Sequence, residues 1–349
     1  MSITSMEQRL NQLWYRERPG PSLLQPLGWL YGSLMRARRR AYQAGWLRTR
    51  DAGVPVVVVG NLTVGGTGKT PLTVWLARAL TQRGYRVGLV SRGYGREGGE
   101  PRVVDAHSDW RDVGDEPLIL ARRSGCTTVV ARDRAAGARL LAAGGANLVL
   151  ADDGLQHLRL ARASEILVID GGRGFGNGRV LPAGPLREPL TLPLHADAVV
   201  VNGEPRHASL TGSLSPGSTL TMQLVAQDAV SLDARLAARA LDSFRATPVH
   251  AVAGIGNPQR FFQTLRASGI EVIEHAYPDH HAFTAGDLAF ADELPVLMTE
   301  KDAVKCAPFA SARLWYVPVT AQFSDADARE LLQRVLVKLP DTPPPKGHT

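Results

Sequence analysis

The chain of 349 residues contains only two cysteines, Cys126 and Cys306. They lie far apart and share no metal-ligand spacing, so neither a disulfide framework nor a cysteine-ligated zinc site is expected, and a reducing compartment such as the cytosol is. Long hydrophobic runs are missing too. The apolar stretch from Pro21 to Met35 is broken by Pro26 and by polar residues, short of the roughly 20 residues a spanning helix needs. It also lacks the charged n-region and small-residue cleavage site of a secretory signal. Acidic residues are outnumbered, 33 Asp and Glu against 40 Lys and Arg, which leaves a formal net charge of +7. That balance favours an anionic partner: nucleic acid, an acidic membrane surface or a phosphorylated substrate. No nucleic-acid-binding module accompanies the charge. The remaining composition, 44% hydrophobic and 21% charged, is that of a globular protein with room for two domains.

One stretch organises the rest, Pro55-Val-Val-Val-Val-Gly-Asn-Leu-Thr-Val-Gly-Gly-Thr-Gly-Lys-Thr70. Four valines in a row predict a strand buried on both faces, and Leu72, Trp75, Leu76, Ala79 and Leu80 predict a helix from Pro71 to Arg83. Between them lies a phosphate loop. Gly65, Gly66 and Gly68 let backbone N–H groups point at a polyanion on the helix N-terminus. Lys69 would reach its terminal phosphates and the Thr70 hydroxyl would ligate Mg²⁺. Thr63 stands where the strict pattern has its first glycine. Further apolar runs at Val87–Val90, Thr128–Ala131, Leu148–Ala151, Ile166–Ile169 and Ala198–Val201 alternate with helical segments. The expected fold is therefore α/β, a largely parallel, P-loop NTPase-like sheet covered by helices. Val249–Ala253, Val272–Glu274, Val296–Thr299 and Leu314–Val317 predict a second, smaller α/β domain. The expected division is residues 1–50, an N-terminal segment; 51–245, the phosphate-loop core; 246–340, the smaller domain; and 341–349, a Pro-rich disordered tail.

Asp152-Asp153 closes a hydrophobic strand, where a carboxylate can meet Mg²⁺ directly or through water; an exposed Asp-Asp-Gly turn is the plain alternative. Gly114-Asp-Glu-Pro117 is a second acidic turn, in which Pro117 is expected to keep Glu116 out of helical geometry and the carboxylates in a loop or helix-start turn. Arg173, Arg179 and Arg187, in a Gly- and Pro-rich segment from Gly171 to Pro189, could clamp phosphate. Asp279-His280-His281 has no further ligand at zinc spacing, leaving a base-orienting, substrate-facing or plain surface histidine. Near the N-terminus, Leu23, Leu27, Leu30, Tyr31 and Leu34 share a helical face beside Arg36, Arg38, Arg39 and Arg40. Such a basic amphipathic helix suits packing on the domain, docking on a membrane surface, or both.

Gly60 to Pro71, Ser91-Arg-Gly-Tyr-Gly-Arg96, Gly114 to Pro117, Asp152-Asp-Gly-Leu-Gln-His157, Leu181-Pro-Ala-Gly-Pro-Leu-Arg-Glu188, Gly254-Ile-Gly-Asn-Pro258, Asp279-His280 and Thr299-Glu-Lys-Asp-Ala-Val304 together resemble the tetraacyldisaccharide 4'-kinase family, in its motif order, from about Trp14 to Lys305. Thr63 itself is similar to the family's pattern. The resemblance implies an ATP- and Mg²⁺-dependent lipid kinase, peripheral on the cytoplasmic face of the inner membrane. It would phosphorylate the 4'-hydroxyl of a tetraacyl-glucosamine disaccharide 1-phosphate to form lipid IVA, with no obligate protein partner. It implies Asp115 as catalytic base with His280 as its partner, His281 standing next to it, and Lys69 in catalysis. Thr63, Gly65, Gly66, Thr67, Gly68, Lys69 and Thr70 would hold the nucleotide. Thr70, Glu116, Asp152 and Asp153 would hold the metal, and Arg92, Arg96, Gln156, His157 and Arg187 the lipid. Two rivals explain the loop. A partitioning-type switch ATPase carries a signature Lys where this chain has Val64, and a soluble small-molecule kinase leaves the basic N-terminal helix unused.

Overall fold

A computed structural model describes residues 13–15, 22–96, 98–192, 194–211, 214, 217 and 219–340. The expected tail at 341–349 lies outside the described residues. The valine run forms β1 (Val56–Gly60), every residue of which is buried. β-branched side chains on both faces suit a central strand covered on each side, and β1 pairs in parallel with β5 (Leu148–Asp152) and β6 (Ser164–Asp170). With β2 (Val87–Ser91), β3 (Arg102–Val104), β4 (Thr127–Val130), β7 (Ala198–Asn202), β8 (Thr219–Ala226) and β14 (Val319–Phe323) it builds a nine-stranded sheet ordered β14-β8-β7-β6-β1-β5-β2-β4-β3. From β8 to β4 every neighbouring pair is parallel; only the edge strands β14 and β3 run antiparallel.

A second sheet has five strands, ordered β11-β10-β12-β13-β9: β10 (Val249–Ala253), β11 (Val272–Ala276), β12 (Val296–Thr299) and β13 (Leu314–Val317) parallel, and the short β9 (Val230–Ser231) antiparallel to β13. The chain does not end in this smaller unit. After β13 it returns to the large sheet as β14, and the helix Asp325–Leu336 packs Leu331, Leu332 and Val335 into the same core as Val57, Leu72 and Leu76. The expected extension of the smaller domain to residue 340 thus overlooks an antiparallel edge strand. An edge strand is half solvated, and β14 has the mixed run Val-Thr-Ala-Gln-Phe, without the continuous apolar signal of a central strand.

The N-terminal helix Gln25–Gln43 meets the body through Gly28 and Gly32, its only buried positions. A Cβ on Gly28 would sit 3.1 Å from the Ala183 Cβ and 3.3 Å from the Val180 carbonyl, so small residues permit the contact. Its leucines and Trp29 point away instead: Leu30 is 70%, Trp29 65% and Leu27 54% exposed. Among the described residues no helix is long and apolar enough to cross a membrane.

Candidate active site

The carboxyl ends of the parallel strands in both sheets face one cavity of about 1480 Å³, which is where open α/β sheets take ligands. The chain leaves β1 at Gly60, forms the loop and enters the helix Lys69–Gln82 with Gly68 as its N-cap at φ +94°. Gly68 has a second reason to be glycine, because a Cβ there would lie 2.5 Å from Nδ2 of Asn202. Thr63 is tolerated because its backbone is in a bridge to Leu186 and needs no positive φ; its side chain is buried. Lys69 Nζ donates to Asn61 Oδ1 at 3.1 Å and lies 3.5 Å from Asp153 Oδ1.

Asp152 is the last residue of β5, fully buried, with Oδ1 accepting from the Thr73 hydroxyl at 3.1 Å and Oδ2 without a hydrogen-bond partner among the described residues. Burial, reinforced by the charge of Glu116 and opposed by Lys69, pushes its carboxyl up to about 7. Asp153, next along, adopts φ +50° and turns the other way. Arg187 Nη1 grips both its oxygens at 2.8 and 2.9 Å. Burial would raise the Asp153 carboxyl, but Lys69 and Arg187 together hold it far below the usual range.

On the opposite wall, Asp115 and Glu116 begin the helix Asp115–Ser124. This corrects the expectation that Pro117 keeps Glu116 out of helical geometry: in the first helical turn the N–H that proline lacks has no intrahelical partner anyway. Asp115 Oδ2 accepts from His280 Nδ1 at 3.1 Å, and the buried Lys305 Nζ lies 3.8 Å away on the same oxygen. Lys301 Nζ bonds Glu116 Oε1 at 3.2 Å, Asp279 Oδ1 at 3.1 Å and His280 Nε2 at 3.4 Å. An ammonium only donates, so His280 Nε2 accepts, and the ring proton sits on Nδ1 facing Asp115. Burial opposes the charge of Asp115, yet His280, Lys301 and Lys305 bring its carboxyl down to about 2. The His280 imidazole is raised: burial works against it, and the Asp115 hydrogen bond prevails. The neighbouring His281 is engaged elsewhere, 3.3 Å from Asp287.

Lys69, Thr70, Gly65, Gly66, Thr67, Gly68, Glu116, Asp153, Gln156, His157, Arg92, Arg187 and His280 line the cavity. Thr63, Asp115 and Asp152 stand behind its wall, the Asp115 side chain 5% exposed against 29% for His280. Arg96 is not on that wall; it is buried in its own loop, with Nη2 on the Glu100 carbonyl at 2.7 Å. Gln156 Nε2 bridges the Asn61 carbonyl and Glu188 Oε1, both at 3.0 Å. His157 Nε2 is buried without a partner among the described residues, and burial with Arg134 lowers its imidazole to about 4. Sequence reasoning assigned no role to Asn61, Asn202, Arg260, Lys301 or Lys305. Asn202 and Lys301 carried a usable signal, since each sits at or just past the carboxyl end of a parallel strand. Among the described residues no three His, Cys, Asp or Glu side chains form a ready metal cage.

Residues 21–337 match the family described as tetraacyldisaccharide-1-P 4'-kinase, LpxK. The tetraacyldisaccharide 4'-kinase of Alkalilimnicola ehrlichii is 51% identical over 336 residues, 95% of this chain and 97% of that one. That of Nitrosococcus oceani is 49% identical, over 93% and 94% of the two chains. Among solved structures, the "apo" form of LpxK from Aquifex aeolicus in complex with ATP superposes with a TM-score of 0.71 at 29% identity, covering 89% of this chain and 98% of that one.

Proposed function

We propose, from the premise that this chain belongs to the tetraacyldisaccharide-1-P 4'-kinase family, that it transfers the γ-phosphoryl of ATP to the 4'-hydroxyl of a tetraacyl-glucosamine disaccharide 1-phosphate, giving lipid IVA. The observation that carries the reading is a single cavity with a phosphate loop on one wall and the hydrogen-bonded Asp115–His280 pair on the other. Transfer to a sugar hydroxyl needs an oriented donor, charge neutralisation and a group to take the proton. The loop N–H groups and Lys69 hold the polyphosphate. The Asp115–His280 pair takes the hydroxyl proton, with His280 Nε2 as its atom at the cavity; the two titrate as a unit. Arg92, Arg187, Gln156 and His157 line the side where the acceptor head group sits.

Mg²⁺ fits the residues present. Asp152 Oδ2 is buried without a hydrogen-bond partner among the described residues, beside Lys69's helix, and Thr70, Asp153 and Glu116 line the cavity in front of it. A magnesium site built on phosphates and one or two carboxylates needs no protein cage. When bound, the ion would offset charge on the transferring phosphoryl group.

The exposed face of Gln25–Gln43 supports a peripheral position on the inner membrane, residues up to about 50 forming the membrane-associating segment, the large sheet the nucleotide unit and the smaller sheet the unit that brings His280. Tyr31 Oη donates to the Arg187 carbonyl at 2.8 Å and Arg39 pairs with Glu188 at 2.9 Å, so the helix is tied to the acceptor side of the cavity. A partitioning ATPase would need its signature lysine at Val64, and a soluble kinase leaves those leucines without a purpose. The test is ATP-dependent phosphorylation of detergent-dispersed tetraacyl disaccharide 1-phosphate, read by mass spectrometry with Lys69→Ala beside it. A product heavier by one phosphoryl group and absent from the variant is expected. ATP hydrolysis with an unmodified lipid would remove the acceptor assignment.

A further inference from the structure

Asn202, at the carboxyl end of β7, is 1% exposed and is tied up on both ends of its amide. Nδ2 donates to the carbonyl of Thr67 in the phosphate loop at 2.9 Å, and Oδ1 accepts from Arg260 Nη2 at 2.6 Å. Arg260 belongs to the helix Pro258–Ala267 of the smaller unit, and its Nη1 is held 2.9 Å from Asp170 Oδ2. Asp170 Oδ1 accepts from the Arg173 N–H at 3.0 Å, and Arg173 Nη1 donates to the Gly256 carbonyl at 2.9 Å. Gly256 in turn lies against the loop, a Cβ there falling 3.0 Å from Gly65 Cα. The contacts form a ring from Thr67 through both sheets and back to Gly65.

The chemistry of the ring fixes its direction. Guanidinium has donors only, so the amide atom facing Arg260 must be Oδ1, and Nδ2 is left pointing at Thr67. The Thr67 carbonyl only accepts and asks for the same orientation, so the two partners reinforce each other: a flipped amide would set Oδ1 against a carbonyl oxygen and Nδ2 against a guanidinium, and without Arg260 half of that restraint is gone. We propose that Asn202 and Arg260 are positioning residues for nucleotide binding: Arg260 orients the Asn202 amide, which holds the phosphate loop in its anion-binding shape, and so makes nucleotide affinity depend on the seating of the smaller sheet. The proposal takes from the functional reading only that the loop binds ATP.

The test measures mant-ATP affinity by fluorescence on the full chain in detergent, with no acceptor present, for Asn202→Ala, Asn202→Asp, Arg260→Ala and the double alanine variant. Loss of one such hydrogen bond predicts about tenfold weaker binding in each single variant. Asn202→Asp is the sharpest case. It keeps an acceptor, now charged, for Arg260 but loses the donor to Thr67, so it should bind nucleotide no better than Asn202→Ala although its ion pair is strengthened. The double variant should be no weaker than the weaker single, because both act through one contact. In turnover assays KM for ATP should rise while kcat at saturating ATP stays within about threefold. Affinities within about twofold of wild type in variants whose thermal midpoints show them folded, or losses that multiply in the double variant, would overturn the proposal. A wild-type protein that binds mant-ATP but phosphorylates no lipid would sink the acceptor assignment alone and leave this test intact.

Discussion

Replacing Asp115 by Asn changes few atoms and removes the charge on which one wall of the cavity is built. The new amide keeps an acceptor for the Glu116 N–H, now 2.8 Å from Oδ1, but an uncharged group then faces His280 Nδ1 at 3.1 Å and Lys305 Nζ at 3.8 Å. Without the carboxylate the pair loses its proton-accepting strength, and general-base catalysis of this kind is worth about 10²–10⁴ in rate. Turnover should therefore fall by about that factor, or about 3–5 kcal/mol of barrier. Stability should suffer less. Lys305 retains Asp302 at 3.0 Å, so the loss is about 1–3 kcal/mol, the cost of one weakened buried polar contact, within the margin of an ordinary domain. Asp115 does not touch the phosphate loop, so mant-ATP affinity should stay within about twofold. The stability gap has its own pH signature. A folded carboxyl held at about 2 against an ordinary 3.8 contributes stability that is present above the higher value and lost as pH falls through the lower one. The urea midpoints of wild type and variant should differ at pH 6 and converge toward pH 2. A folded variant that keeps wild-type turnover would refute the role assigned to the pair.

Asp152 should behave in the opposite sense: its folded carboxyl is raised from 3.8 to about 7, so its contribution is lost as pH rises through that interval. Urea titrations without nucleotide or metal should find Asp152→Asn gaining on wild type from pH 4 to 8; a gap constant with pH would contradict the burial argument. Gly256→Ala would put a methyl 3.0 Å from Gly65 Cα and 3.1 Å from Gly66 N, both backbone. At about 1–3 kcal/mol for such overpacking, KM for ATP should rise severalfold, and an unchanged KM would mean that the two units part freely. Leu27, Leu30 and Leu34 are 54%, 70% and 61% exposed, so their joint replacement by Ser should leave the thermal midpoint nearly unmoved. Binding to anionic vesicles should fall at least about tenfold, since each leucine buried in lipid contributes about 1.5–3 kcal/mol; undiminished vesicle sedimentation would argue against a membrane role for this face.

What was legible in the sequence follows from how strongly each position is constrained locally. The valine run of β1 and the other central strands could be read because burial on both faces permits little except apolar residues. Gly68-Lys69-Thr70 could be read because a phosphate loop needs those residue types at those offsets. β8 and β14 were missed for the complementary reason: half-solvated strands, one at the sheet edge and one next to it, with polar residues interspersed, resemble loops. Gly28 and Gly32 carried a signal that went unread. A helical face rich in leucine usually packs inward, and here the helix docks by its glycines and leaves the leucines outside. Asn202 could be marked by its place at the end of β7, but its pairing with Arg260 had no local pattern, because it spans 58 residues and two sheets.

The paired charges suggest why the site draws on two sheets rather than one. In the structure three cations of the cavity are engaged by carboxylates: Lys69 by Asp153, Arg187 by Asp153, Lys301 by Glu116 and Asp279. A triphosphate arriving at the loop competes with Asp153 for Lys69, and one long enough to reach the far wall competes with Glu116 for Lys301. Each exchange takes a counter-charge from a carboxylate in a partly dry site, a condition that favours a divalent cation. Lys301 stands on the helix that follows β12 of the smaller sheet and Lys69 on the helix that follows β1 of the larger, so a nucleotide that engaged both would need both units seated. Because Lys301 also contacts His280 Nε2 at 3.4 Å, drawing its ammonium toward phosphate would uncover the atom that accepts the proton. Nucleotide binding and readiness of the base would in this way be two results of one rearrangement of charge. Lys301→Met should accordingly weaken phosphoryl transfer more than mant-ATP binding, and equal losses in both would remove the link.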